Sequence, residues 1–161
     1  MTKDFPPWLE QYKTQIDKSS MHHAYLISGR EGIGKSILAE DLSLNALCHS
    51  DQRDLCRDCY SCKLHDINNH PDFYSLNVLP DKKLIGIGQI HQLRDKLYES
   101  AFLGKNKVVL VSALQKITLD GLNAFLKILE EPPQNTYFFL TTDFLNSIPL
   151  TIQSRCLGIK V

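Results

Sequence analysis

The sequence has no surplus charge of either sign: 18 Lys and Arg stand against 18 Asp and Glu over 161 residues. That balance excludes a global electrostatic pull on nucleic acid, so any contact with DNA must be local or shared with partners. Apolar runs are short, and none approaches the ~20 residues of a membrane span. Met1 to Pro7 lacks the basic-then-apolar pattern of a signal peptide, so the expectation is a cytoplasmic protein with no membrane partner. There is no internal repeat and no low-complexity tract. Interleaved aromatic and basic residues, the mark of a single-strand groove, are missing, which argues against a stand-alone nucleic-acid module. The six histidines form no recognisable catalytic arrangement. Arg94 and Arg155 are too few and too scattered to build the acceptor pocket of a nucleotide kinase.

What remains is an ordinary globular composition, 43% hydrophobic and 22% charged, long enough for one domain with a real core. Short β-rich runs alternate with helical stripes. Strands are expected at 23–28, 73–78, 107–111, 137–141 and 156–161. Helices are expected at 36–47, 89–98 and 118–130. The last of these carries Leu119, Leu122, Leu126 and Leu129 on its buried side and is stopped by Pro132 and Pro133. Such alternation predicts an α/β fold, a mostly parallel five-stranded sheet covered by helices on both faces. The chain stops straight after the fifth strand, and it is read as one domain, 1–161, of a longer protein.

Gly29-Arg30-Glu31-Gly32-Ile33-Gly34-Lys35-Ser36 fits the phosphate-loop pattern G-x-x-x-x-G-K-[ST] in full. Gly29, Gly32 and Gly34 let successive backbone N–H groups turn inward around phosphates. Lys35 adds positive charge toward the outer phosphates, and the Ser36 hydroxyl can ligate Mg²⁺. The helix that follows points its positive end at the same place. A chance match in a chain this long has odds of roughly one in a few hundred. The strand before and the helix after supply the required context, so ATP or ADP with Mg²⁺ is the expected ligand class.

Cys48, Cys56, Cys59 and Cys62 lie within fifteen residues. Four soft ligands suit a tetrahedral, structural Zn²⁺ with no open position. A redox C-x-x-C pair belongs at the start of a helix that follows a strand; this one follows a helix. A Cys₃His set using His49 or His65 is the rival metal site. Arg53, Arg57 and Lys63 are expected to offset thiolate charge. Cys156 is remote and reads as a core residue.

Four separated segments match one family. They are His23-Ala24 leading into the loop, the cysteine module 48–62 inserted after the first helix, Asn123 to Pro133 with its Glu-Glu-Pro-Pro ending, and Ser154-Arg155-Cys156. On these residues the chain resembles the bacterial DNA polymerase III clamp-loader subunits, AAA+ P-loop proteins, and among them the delta prime type. The resemblance implies a role in loading the sliding clamp onto primed DNA. The implied partners are gamma or tau, delta, the clamp and primer–template DNA, with lid and collar domains beyond residue 161. Motor subunits of this family carry an acidic pair at the end of the third strand, for Mg²⁺ and for the attacking water. Ser112 and Ala113 stand at those positions here, so the resemblance implies weak nucleotide binding or none, and no hydrolysis. It further assigns Thr142, or Thr141 beside it, to the γ-phosphate sensor position, and Arg155 to an arginine finger acting on a neighbouring subunit. A hydrolysing gamma- or tau-type ATPase is the alternative, favoured by the intact loop.

Overall fold

The computed structural model describes residues 5–51, 54–103 and 105–161. Five strands form one sheet: β1 Ala24–Ser28, β2 Phe73–Leu76, β3 Lys107–Val111, β4 Thr136–Thr142 and β5 Leu157–Lys160. Among the described residues six α-helices accompany them: α1 Glu10–Lys13, α2 Lys35–Leu47, α3 Tyr60–Asp66, α4 Ile87–Leu97, α5 Leu119–Glu130 and α6 Leu150–Gln153. The strand order is β2-β3-β4-β1-β5 and the pairings are all parallel.

Burial on both faces explains the near-continuous apolar strands. Along β3, Val109 and Val111 join one core while Val108 and Leu110 join the other. β1 splits the same way, with Ala24 and Leu26 on one side and Tyr25 and Ile27 on the other. α4 and α5 cover the first face through Ile90, Leu93, Leu97, Phe125 and Leu129. α2 covers the second through Leu38, Leu42 and Leu47, joined by Leu9 from the N-terminal segment.

The expected helical stripe on α5 needs one correction. Leu119 is 71% exposed. It is the first residue of the helix, and the buried face starts at Leu122 and runs through Phe125, Ile128 and Leu129. Thr118 caps the helix by accepting the Gly121 N–H. The sheet brings the C-terminal ends of β1, β3 and β4 side by side, where open α/β sheets place their ligands.

Candidate functional site

The phosphate loop leaves the end of β1 and feeds α2, whose first residue is Lys35. Two glycines are demanded by close approach. A Cβ on Gly29 would lie 2.8 Å from the Val161 carbonyl oxygen, a backbone atom that cannot yield. Gly34 has φ of 105°, and a Cβ there would sit 3.0 Å from a Leu9 methyl. Gly32 also has positive φ, and Ser36 is exposed on the first turn of α2. These features fit a phosphate cradle at a helix N-terminus. The N-terminal segment braces it. Trp8 donates its indole N–H to the Ile33 carbonyl at 3.2 Å, and Leu9 is fully buried beneath. Trp8 thereby ties the N-terminal segment to the loop.

Lys35 is buried, and its ammonium is taken up within the chain. It lies 2.7 Å from the Asp143 carboxylate and donates to the Arg30 carbonyl at 2.7 Å. The other oxygen of Asp143 accepts from the Gln115 amide at 2.9 Å. Asp143 is not among the residues expected from the sequence, because it follows β4 whereas the family's carboxylates are expected at the end of β3. The signal lay in the register: parallel pairing of Ser28 with Thr142 sets residue 143 beside the start of the loop.

The end of β3 falls where it was expected. Val111 is its last residue, followed by Ser112 and by Ala113 in the left-handed region at φ 63°. The Ala113 N–H donates to the Thr141 hydroxyl at 3.0 Å, tying β3 to β4. Thr142 is fully buried, and its hydroxyl accepts the Phe144 N–H at 3.2 Å. Both threonines flank the loop mouth, and both hydroxyls already serve as acceptors.

The four cysteines converge. Their sulfurs all lie within 4.8 Å of one another. Cys48 and Cys56 are 3.4 Å apart, and Cys56 and Cys62 are 4.0 Å apart. A tetrahedron with Zn–S of about 2.3 Å has edges of about 3.8 Å, so the donor set fits such an ion. Cys59 caps α3 and accepts the Cys62 N–H at 3.5 Å, and Cys56 accepts the Cys59 N–H at 3.4 Å. Hydrogen bonds from the Asp58 and Cys59 backbone and from Cys48 bring the Cys56 thiol down to about 6, in the thiolate-favouring direction. Burial pushes Cys62 up from its ordinary value, a cost that metal binding would offset.

The histidines stay out of the cluster. The His49 backbone hydrogen-bonds to Cys59, and His65 packs edge-on against Phe73. The expected charge partners also differ. Arg57 and Lys63 pair with Asp41 and Asp58, while Arg53 lies outside the described residues. Instead, Lys18 and Lys105 both donate to the Cys48 carbonyl, at 3.1 and 2.7 Å. Both come from segments far from the cluster in sequence, and both oppose the negative end of α2. Beneath the cluster Ser61 bridges the Leu47 carbonyl and His70, fastening α3 to α2 and to the start of β2. Cys156 is half-buried against the main core, and burial raises its thiol to about 12, as a packing residue requires.

Arg155 follows α6 at the surface. It pairs with Glu130 of α5 at 2.7 Å and donates to the Thr151 carbonyl at 2.7 Å. Glu130 is the first glutamate of the Glu-Glu-Pro-Pro ending, so two of the separated sequence segments meet in this ion pair.

The family model described as DNA polymerase III, delta subunit, matches residues 6–161. The delta prime subunit of Buchnera aphidicola from Baizongia pistaciae is 35% identical over 164 residues, covering 94% of this chain and 48% of that protein. The delta prime subunit of Yersinia pestis is 39% identical over 155 residues, covering 93% and 46%. A gamma subunit from Buchnera aphidicola of Schizaphis graminum is 33% identical over 88% of this chain and 38% of that protein. The chain thus spans about half the length of the delta prime relatives. Among solved structures, a gamma subunit-related protein of Thermotoga maritima superposes with a TM-score of 0.68 at 25% identity, over 95% of this chain and 45% of that one. The RuvB Holliday junction branch migration motor of Thermotoga maritima gives 0.59 at 11% identity over 98% of this chain and 45% of its own, a likeness of fold alone. Matched from residue 6 to its end and similar over more than nine-tenths of its length to delta prime proteins, the chain belongs to the DNA polymerase III delta-subunit family, in its delta prime branch.

Proposed function

We propose that this chain is the nucleotide-binding domain of a clamp-loader subunit that acts in DNA replication in the cytoplasm. It sits in a ring with gamma or tau and with delta, and helps place the sliding clamp on primer–template DNA. It holds ATP or ADP weakly and does not hydrolyse it. Lys35 and the loop N–H groups would face the phosphates, Ser36 the Mg²⁺, and Thr142 the outer phosphate from the end of β4. Bound Mg²⁺ would neutralise phosphate charge. Cys48, Cys56, Cys59 and Cys62 would hold a structural Zn²⁺, since four protein donors leave no position for a substrate. Arg155 would act in trans, its guanidinium offering a planar fork to the γ-phosphate of a neighbour's ATP. Within the single chain its fork is parked on Glu130.

The observation that carries the non-hydrolysing reading is the end of β3. Ser112 and Ala113 cannot orient an attacking water or bind a cation as carboxylates do. The intact loop, and the likeness to a gamma subunit, favour a second reading as an active motor. Phosphate release by the purified protein decides between them. No turnover with Mg·ATP is expected. Steady turnover abolished by Lys35→Ala would establish the motor.

A further inference from the structure

The phosphate loop already contains an anion, and the chain supplies it. Lys35 is 6% exposed, and a buried ammonium needs a charged partner. The Arg30 carbonyl is neutral, so the compensating charge comes from Asp143 at 2.7 Å. That carboxylate is held from behind. Gln115, on the short turn after β3, donates to its second oxygen at 2.9 Å. The remaining amide oxygen of Gln115 is buried with no partner among the described residues, so the orientation of this amide is set by Asp143. Both oxygens of Asp143 are therefore committed, one to the loop lysine and one to a fixed donor.

We propose that Asp143 is an internal counterion that locks the phosphate loop, and that a nucleotide must displace it from Lys35 to bind. The inference rests on the reading of this loop as a nucleotide site. A phosphate reaching Lys35 meets a carboxylate of like charge on the same ammonium. The two compete, and the binding-competent state is only the fraction in which Asp143 has let go, which lowers apparent affinity by that fraction. The position of the lock couples it to the rest of the site. Asp143 directly follows Thr142, so its release moves the chain at the end of β4, where Thr142 holds the Phe144 N–H. Occupancy of the loop would thereby be felt in the segment leading to α6 and Arg155.

Asp143→Asn tests this in the intact protein. Asparagine keeps the size and can still accept from Gln115, but removes the charge. Affinity for Mg·ATP, measured with a fluorescent analogue and by calorimetry, should rise roughly 10- to 100-fold, the worth of one charge-assisted hydrogen bond. Gln115→Ala, which loosens the carboxylate without removing it, should shift affinity in the same direction by less. A second readout uses no nucleotide. Modification of Lys35 by an amine-directed reagent, followed by mass spectrometry, should be faster in Asp143→Asn than in the wild type. Unchanged Lys35 reactivity overturns the lock whatever the binding data show. Equal or weaker Mg·ATP affinity in Asp143→Asn also overturns it, the weaker case making Asp143 a cation-facing group. Faster Lys35 labelling with no Mg·ATP bound by either protein at millimolar concentration overturns the nucleotide reading of the loop, and the gate with it.

Discussion

Removal of the metal should unfold the cysteine module and leave the sheet standing, and the structure supports a figure for it. The module has almost no core of its own. Among the described residues its buried apolar cluster is Leu44, Cys48 and Cys62, with Leu55, Cys56 and Cys59 packed around them. So small a cluster cannot offset the conformational entropy of ordering a fifteen-residue segment at about 1–2 kcal/mol per residue. The link that would close it is an ion held by the four sulfurs, which lie within 4.8 Å of one another. With Zn²⁺ at about a thousandfold over its Kd, linkage contributes about 4 kcal/mol. At about 2–4 °C per kcal/mol for a domain of this size, the melting temperature should fall by about 8–16 °C on chelation. Elemental analysis should give one Zn²⁺ per chain, and Cys59→Ser should lower that sharply. Calorimetry with and without chelator measures the shift. Hydrogen exchange should rise across 48–66 while β1, β3 and β4 stay protected. A metal-free protein with the same melting temperature and the same protection would refute this argument and leave four free thiols as mere packing.

Three further substitutions have outcomes that follow from the geometry. Arg155→Ala should cost the isolated domain at most about 1 kcal/mol, because its pair with Glu130 is surface-exposed. In the assembled loader the same change should lower DNA-stimulated ATPase at the facing site by about 10³-fold or more, with poor rescue by Arg155→Lys; unchanged loader ATPase would assign Arg155 a local role only. Phe125→Ala, at a fully buried position stacked edge-on against Phe138, should lower unfolding free energy by about 3–5 kcal/mol. Leu119→Ala, at the exposed first residue of the same helix, should fall within about 0.5 kcal/mol, and chemical denaturation of the two variants compares them directly.

Much of this protein is local chemistry, and local chemistry is legible in one dimension. The loop 29–36 needs its glycines, its lysine and its serine at fixed spacing along the chain, so the pattern alone identifies it. The cysteines lie within fifteen residues, close enough along the chain for short loops to gather the donors of one metal site. The strands of a sheet buried on both faces are unbroken apolar runs, which is why β1 and β3 were found almost to the residue. The absence of carboxylates at Ser112 and Ala113 is likewise readable once the strand is placed.

Tertiary structure decided everything that depends on which ends meet. Asp143 pairs with Lys35 from 108 positions away because parallel pairing of β1 and β4 aligns Ser28 with Thr142, and no periodicity along the chain encodes that register. Lys18 and Lys105, one before and one after the module in sequence, converge on the Cys48 carbonyl, although Arg57 and Lys63 are nearer along the chain. Leu119 sits at the helical spacing of a core residue and still faces water, because it is the first residue of α5 and the buried face of the helix starts only in the next turn. Spacing fixes which residues can share a face; only the packed sheet fixes which faces meet, since partner choice is made by contacts between segments distant in the chain.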